Sequence, residues 1–230
     1  MSAKELHKKA EEARESGNFL EALKISDEAL IAYQGEANLA KFAEVLCVRC
    51  LTFRHLFEKT NDLTFARLAK FEAKAAVGIL EKNDSKEGLG IAYYNLAKAY
   101  ETLEKFEKEK EAIHKSLESF ESAPQDSQNK PSVTSEIETR LAVVEYRLGD
   151  DTAIERFNTS LSELKNSNED DYVKKVWISG AYLHLADAMI ARGEKDKASE
   201  QLTKAKSIIE GDERLKLRIG QLAKLSAKLS

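Results

Sequence analysis

Helix-ending signals recur along this chain at one fixed spacing. Gly or Asn in a left-handed cap is the clearest sequence marker of a helix end. Four segments carry one: Ser16-Gly17-Asn18, Thr60-Asn61-Asp62, Leu148-Gly149-Asp150 and Arg192-Gly193-Glu194. Gly17 and Asn61 lie about 44 residues apart, as do Gly149 and Gly193, and the gap from Asn61 to Gly149 is twice that. The spacing therefore requires a fifth turn at Glu104, where Leu103-Glu104-Lys105-Phe106 stands between two amphipathic runs. That turn has no Gly, and a non-Gly residue in the left-handed region costs on the order of 1 kcal/mol.

Each turn is followed by a helical pattern with a small residue facing the preceding helix and another seven positions on. The pairs are Ala22 and Ala29, Ala66 and Ala73, Ala153 and Ser160, and Ala198 and Ala205. The helix before each turn answers with Ala10, Ala97, Ala142 or Ala186, while the second unit has Arg54 there. Small residues at matching places on both arms let two helices approach closely, so the unit is an antiparallel helix hairpin.

Within this frame the stretch AEEARESGNFLEALKISDEAL, Ala10 to Leu30, resembles a tetratricopeptide repeat (TPR), whose signature pairs a small residue and an aromatic in the first helix with Ala and a bulky residue in the second. Tyr93 to Ile113 and Tyr182 to Leu202 match nearly as well, and the two intervening units are degenerate. The departure is the period, about 44 rather than the usual 34 residues. The additional residues lengthen the helices, as Ala37 to Lys59 and Leu63 to Glu81 indicate, giving rods of about 30 Å. Units this long resemble those of kinesin light chains and of bacterial peptide-sensing regulators.

The resemblance implies an all-α fold, a right-handed α-solenoid of antiparallel helix hairpins with a C-terminal capping helix. The register predicts one solenoid over residues 1–230, with hairpins at 3–35, 37–82, 85–122, 132–166 and 169–210 and the cap at 212–230. The cap places Leu215, Ile219, Leu222, Leu225 and Leu229 on one stripe, which either covers the last apolar face or makes a homodimer contact. Ser122 to Ser132, with Pro124 and Pro131, is the one clear loop, and Ser135 with Glu138 supplies a capping box after it. A solvated connection fits the continuing register, with a hinge between 1–122 and 132–230 or a modification site as the alternatives.

The cysteines form a CxxC, Cys47 and Cys50, whose spacing invites redox or metal chemistry. The register argues otherwise. Cys50 falls where other hairpins have Leu6, Tyr93 and Tyr182, a packing position. Cys47 corresponds to Ala3, Gly90, Ser135 and Ser179, small in every unit. Reactive CxxC pairs sit at helix starts and a structural zinc needs two further ligands, so these are read as buried core thiols. His184 and Asp187 lie three residues apart on one helix and could pair as base and orienting carboxylate, yet no nucleophile, metal cluster or glycine-rich phosphate loop accompanies them. No catalytic residue, cofactor or metal is assigned. Charge runs such as Glu104 to Glu111 read as solvated helix faces, and the single Trp177 as a helix-contact residue.

A net charge of -4 offers no general attraction to nucleic acid or anionic lipid. The start, MSAKELHKKAEEA, has no apolar leader core, and the longest apolar run, Ala75 to Leu80, is far too short to span a bilayer, so a cytoplasmic protein without membrane insertion is expected.

Function then rests on the face that the resemblance assigns to binding, the concave surface lined by successive first helices. A 3, 4, 3 stripe gives Lys4, His7, Glu11 and Arg14 in the first hairpin and Val48, Leu51, His55 and Glu58 in the second. The third carries Ile91, Tyr94, Lys98 and Glu101, the fourth Glu136, Thr139, Val143 and Tyr146, and the fifth Gly180, Leu183, Asp187 and Ile190. The inner four mix apolar anchors with charges, as a groove for a peptide or helical protein partner requires. The alternative is that Leu51, Ile91 and Leu183 pack between lengthened hairpins. Chaperone cochaperones of this family grip a terminal carboxylate with Lys, Asn and Arg. Here the corresponding residues are His7, Glu11, Thr52, Ile91 and Asn95, so that mode is disfavoured. The expectation is a non-catalytic interaction scaffold or adaptor, against a self-associating assembly protein or a ligand-responsive switch.

Overall fold

The computed structural model describes residues 1–86, 88–123 and 129–229. Among these there are eleven α-helices. They form two compact units, residues 1–129 and 130–230. The first holds α1 (Ala3–Glu15), α2 (Phe19–Gly35), α3 (Leu39–Thr60), α4 (Leu63–Lys82), α5 (Leu89–Thr102) and α6 (Phe106–Ser122). The second holds α7 (Pro131–Arg147), α8 (Ala153–Asn166), α9 (Asp171–Ala191), α10 (Lys195–Glu210) and α11 (Lys216–Leu229). In each unit consecutive helices pack as hairpins, α1 on α2, α3 on α4, α5 on α6, then α7 on α8 and α9 on α10. First helices also pack side by side, α3 against α5 and α7 against α9.

The boundary between the two units falls next to the proline-containing segment. Residues 124–128, including Pro124, lie outside the described residues. The capping box expected at Ser135 and Glu138 is not used. Pro131 occupies the first turn of α7 and its fixed φ starts the helix earlier. Ser135 and Glu138 are then interior, with Ser135 donating to Glu163 at 3.1 Å and Glu138 accepting from Ser160 at 3.4 Å. The capping box that does form is Ser2 with Glu5, at the start of α1.

All five spaced turns adopt the left-handed conformation, at Gly17 (φ 78°), Asn61 (φ 55°), Glu104 (φ 54°), Gly149 (φ 108°) and Gly193 (φ 79°). Four are closed by the same long backbone hydrogen bond, in which the N–H following the left-handed residue reaches back over the last helical turn. These are Asn18 to Ala13 O at 2.9 Å, Lys105 to Tyr100 O at 2.9 Å, Asp150 to Glu145 O at 3.0 Å and Glu194 to Met189 O at 2.9 Å. Glu104 therefore makes the bond its glycine counterparts make, at the steric cost of a Cβ. Asn61 lacks that bond, and Asp62 instead accepts from the N–H of Thr64 at 2.8 Å to start α4.

The small positions are the inner contact of every hairpin. Ala10, Ala22, Ala29, Ala66, Ala73, Ala97, Ala153, Ala186, Ala198 and Ala205 are fully buried, and Ala142 and Ser160 nearly so. In the third hairpin the corresponding residues of α6 are Glu109 and Ser116, both buried. Ser116 donates to Gly90 O at 2.7 Å, and a Cβ on Gly90 would stand 2.8 Å from the Phe120 ring, so glycine on α5 restores the close approach that alanines give elsewhere. Arg54, the exception on α3, turns its guanidinium to Thr102 (2.9 Å) and Glu101 (3.4 Å) of α5.

Replacing Glu104 with Gly removes the left-handed Cβ while adding unfolded-chain entropy, for a net gain of up to about 1 kcal/mol. Gly193→Ala should cost about 1–2 kcal/mol. Urea unfolding followed by far-ultraviolet circular dichroism should move the two midpoints in opposite directions; equal midpoints would contradict this account of the turns.

Candidate functional site

In the first unit the expected binding residues sit on α3 and α5. Burial separates them into two groups. Tyr94 and its neighbour in the stripe, Val48, are buried between helices, while Leu51, His55, Glu58, Ile91, Lys98 and Glu101 are half-buried. Tyr94 packs with the Lys98 ammonium 3.9 Å from the centre of its ring. The His55 ring stacks on Phe19 at 5.6 Å, and its Nδ1 lies 3.5 Å from Glu58. Glu101 accepts from Arg54. Thr52 and Asn95 donate to Val48 O and Ile91 O, and their burial keeps both from a partner's carboxylate.

The cysteines lie deep in the same helix. Burial pushes the Cys50 thiol up to about 12 and Cys47 further up, Cys47 also feeling Cys50 beside it. Cys50 donates weakly to Asn95 O at 3.7 Å. Thiols so far from ionisation are poor nucleophiles and poor ligands, in keeping with the core reading.

The second unit contains a recess lined by four helices. Its wall is formed by Glu136, Thr139, Arg140 and Val143 of α7, Leu164 of α8, Trp177, Gly180, Ala181 and His184 of α9, and Arg218 of α11. The enclosed part measures about 20 Å³, room for a water molecule or a carboxylate oxygen. Arg140 is buried and donates to His184 Nε2 at 2.8 Å; a guanidinium only donates, so Nε2 accepts and the ring proton is on Nδ1. From the opposite side Arg218 donates to Val176 O at 3.0 Å and to Gln221 Oε1 at 2.6 Å. Its guanidinium lies across Gly180, where a Cβ would stand 2.7 Å from it, so the missing side chain makes room for the arginine. Two guanidinium groups and one carboxylate, Glu136, therefore line the same wall as Trp177, Ala181 and Val143. Such a wall favours an anionic group carried on an apolar or aromatic segment.

Of the expected residues, the recess gathers Thr139 and Val143, together with the stripe members Glu136 and Gly180. Both Thr139 and Val143 are themselves buried. Tyr146 and Leu183 are buried as well. The Tyr146 hydroxyl donates to Glu194 at 2.6 Å under the Arg192 guanidinium, and Leu183 belongs to the apolar cluster of this unit. Ile190 is half-buried against that cluster. Asp187 does not orient His184. Its carboxylate accepts from Arg147 at 2.5 Å and from Lys228 of α11 at 2.7 Å. Burial alone would raise the Asp187 pKa, but the Lys228 hydrogen bond and the Arg147 charge outweigh it and hold the carboxyl below its ordinary value.

Arg140, Arg218 and Trp177 were missed as site residues. Arg140 directly follows Thr139, so a stripe widened by one residue would have included it. Nothing in the sequence places Arg218, because its position depends on how α11 returns over α9. That helix carries the leucine stripe inward as a cap. Leu215 is buried and Leu222, Leu225 and Leu229 pack on the cluster, whereas Ile219 is 55% exposed and lies off the contact.

Comparison of the sequence with protein-family models and with characterised proteins finds no match. Solved structures do match. BtubC (BKLC) from P. vanneervenii superposes with a TM-score of 0.57 at 18% identity, over 88% of this chain and 77% of that one. A Rap protein complexed with Competence and Sporulation Factor gives 0.62 at 14% identity, over 99% of this chain but only 64% of the Rap chain. A Podosopora anserina protein assigned as a kinesin light chain with nearly identical TPR-like repeats gives 0.52 at 15% identity, over 89% and 93% of the two chains. At these identities the likeness is one of fold. The chain has a tetratricopeptide-like helical repeat fold, and among its described residues no helix is long and apolar enough to cross a membrane.

Asp187 ties α11 to α9, so Asp187→Asn should speed amide hydrogen exchange in residues 216–229 and cost about 1–3 kcal/mol at neutral pH. Because the folded pKa is depressed, this contribution is complete above the unfolded value of about 3.9 and fades as pH falls through the lower folded value. The stability gap between wild type and variant should be constant from neutral pH to mildly acidic conditions and close only below that range. A gap that closes near neutrality would contradict the assignment.

Proposed function

We propose that this protein is a non-catalytic interaction module, a scaffold or adaptor that takes up a peptide or helical protein partner on its first-helix faces. The recess between α7, α9 and α11 is the anchor point, receiving an acidic side chain or terminus of the partner. The observation that carries this reading is the convergence of Arg140 and Arg218 on one recess beside Trp177, with Glu136 the only carboxylate in the wall. The half-buried row Leu51, His55, Glu58, Ile91, Lys98 and Glu101 of the first unit is a second contact surface of mixed apolar and charged character. A protein of this fold crystallised in complex with Competence and Sporulation Factor supports a ligand-binding use of the scaffold. The cytoplasm is the compartment proposed.

A switch-like variant of this reading has one observation in its favour. Arg218 belongs to α11, a helix of 14 residues none of which is buried, so a ligand that draws on Arg218 also acts on the helix that carries it. Self-association through the leucine stripe is the weaker alternative, since those leucines face α9 and α10 of their own chain.

Selection from a displayed peptide library on the wild-type chain should enrich sequences bearing Asp, Glu or a free carboxyl end next to an apolar residue. Hydrogen bonds to a charged group contribute about 1.5–3 kcal/mol. Arg140→Ala should therefore weaken the selected peptides by about tenfold or more, and binding should shift the fluorescence of Trp177, the only tryptophan. Peptides held equally by wild type and Arg140→Ala, with Trp177 silent, would remove the recess from the reading.

A further inference from the structure

The inner side of α4 is an alanine-rich core face, Ala66, Ala69, Ala73, Ala76, Val77 and Leu80, packed on α3 and α5. Its outer side is different in kind. At helical spacing it presents Leu63 (52% exposed), Arg67, Leu68 (36%), Lys70, Phe71 (59%) and Lys74. Arg67, Lys70 and Lys74 form one flank, and Leu68 and Phe71 the other, with Lys70 Nζ 4.4 Å from the centre of the Phe71 ring. The two acids of α4 do not neutralise this face. Glu72 is held by Arg49 at 2.9 Å, and Glu81, near the far end of the helix, takes the hydroxyl of Tyr93.

Two further cations extend the patch. Lys105 and Lys108, at the start of α6, approach Lys70, whose pKa is lowered by burial of its stem and then by the charges of Lys105, Lys74, Arg67 and Lys108. Glu104 and Glu107 flank these lysines in sequence, yet the charges that act most on Lys70 are the four cations. None of the five makes an ion pair among the described residues, in a protein whose other cations commonly do. Asp62 at the start of α4 feels the Arg67 charge, but five cations with no ion pair outnumber it and form a local positive field that the acidic net charge of the chain conceals.

We propose that this outer face of α4 with the start of α6 docks on an anionic phospholipid surface, the cations taking headgroup phosphates while Phe71, with Leu63 and Leu68, enters the headgroup boundary. Charge complementarity selects an anionic partner. The form of the face selects a lipid surface over an acidic polypeptide, because the apolar side chains project outward in a row beside the cations. A bound chain instead needs pockets for its side chains or an edge for its backbone. Outward cations interleaved with an aromatic and leucines are what interfacial binding uses. The association is peripheral and independent of the peptide reading above.

The test is co-sedimentation of the full chain with vesicles of phosphatidylcholine alone or mixed with phosphatidylserine, after circular dichroism shows all variants equally folded. Wild type should bind the mixed vesicles and not the neutral ones, less so as salt is raised. Lys70→Ala with Lys74→Ala should lower the partition coefficient by about 25-fold, near fivefold per charge. Phe71→Ser should weaken binding without changing its salt dependence. Lys206→Ala with Lys216→Ala, an equal loss of charge elsewhere, should leave binding unchanged. Failure of the wild type to bind mixed vesicles, equal binding to neutral ones, or an equal loss in both lysine pairs overturns the proposal. Binding of soluble poly-glutamate with no binding of vesicles also overturns it and gives the patch to an acidic polypeptide.

Discussion

The structure depends on how closely two helices can approach when only Cβ atoms stand between them. At most of the small positions of the hairpins the inner contact is made by Ala or Ser, completely or almost completely buried, with Arg54 on α3 and Glu109 on α6 as the exceptions. Larger side chains there would force the helices apart, and close-packed interiors absorb such changes poorly. The third hairpin illustrates the constraint by departing from it. With Glu109 and Ser116 on α6, the space comes from α5, where Gly90 admits the Phe120 ring. One close contact per hairpin thus allows units of about 44 residues to keep a geometry usually built from shorter ones.

This constraint explains why the fold was legible in the sequence. Turn spacing placed a left-handed residue at Glu104 without a glycine to mark it, and the backbone has φ 54° there. Small residues marked both arms of the first, fourth and fifth hairpins and one arm of the second and third. What failed were features set by local competition or by segments the repeat does not govern. The capping box at Ser135 lost to Pro131, which starts α7 one turn earlier. A repeat pattern constrains neighbours within hairpins and says little about a linker with two prolines.

The candidate site was less legible for a geometric reason. A stripe drawn at 3, 4, 3 spacing passes through the contact between adjacent first helices, so it collects residues that pack there as readily as residues that face outward. Tyr94, Tyr146 and Leu183 are such packing residues, and their polar neighbours Lys98, Glu101 and Asp187 are already engaged with other side chains. The recess lies one residue to the side of the stripe, which recovers Thr139 and Val143 but misses Arg140. Arg218 belongs to a helix outside the repeat. The histidine and carboxylate that looked like a catalytic pair are drawn apart by stronger partners, His184 to Arg140 and Asp187 to Arg147 and Lys228.

The account turns on whether partners are read at the meeting of α7, α9 and α11. Hydrogen exchange of the full chain, alone and saturated with a peptide selected for binding, tests that most directly. The account predicts added protection in residues 136–143, 177–184 and 216–221, with α8 and α10 unchanged. Protection confined to α8 and α10, or to the first unit, would contradict it.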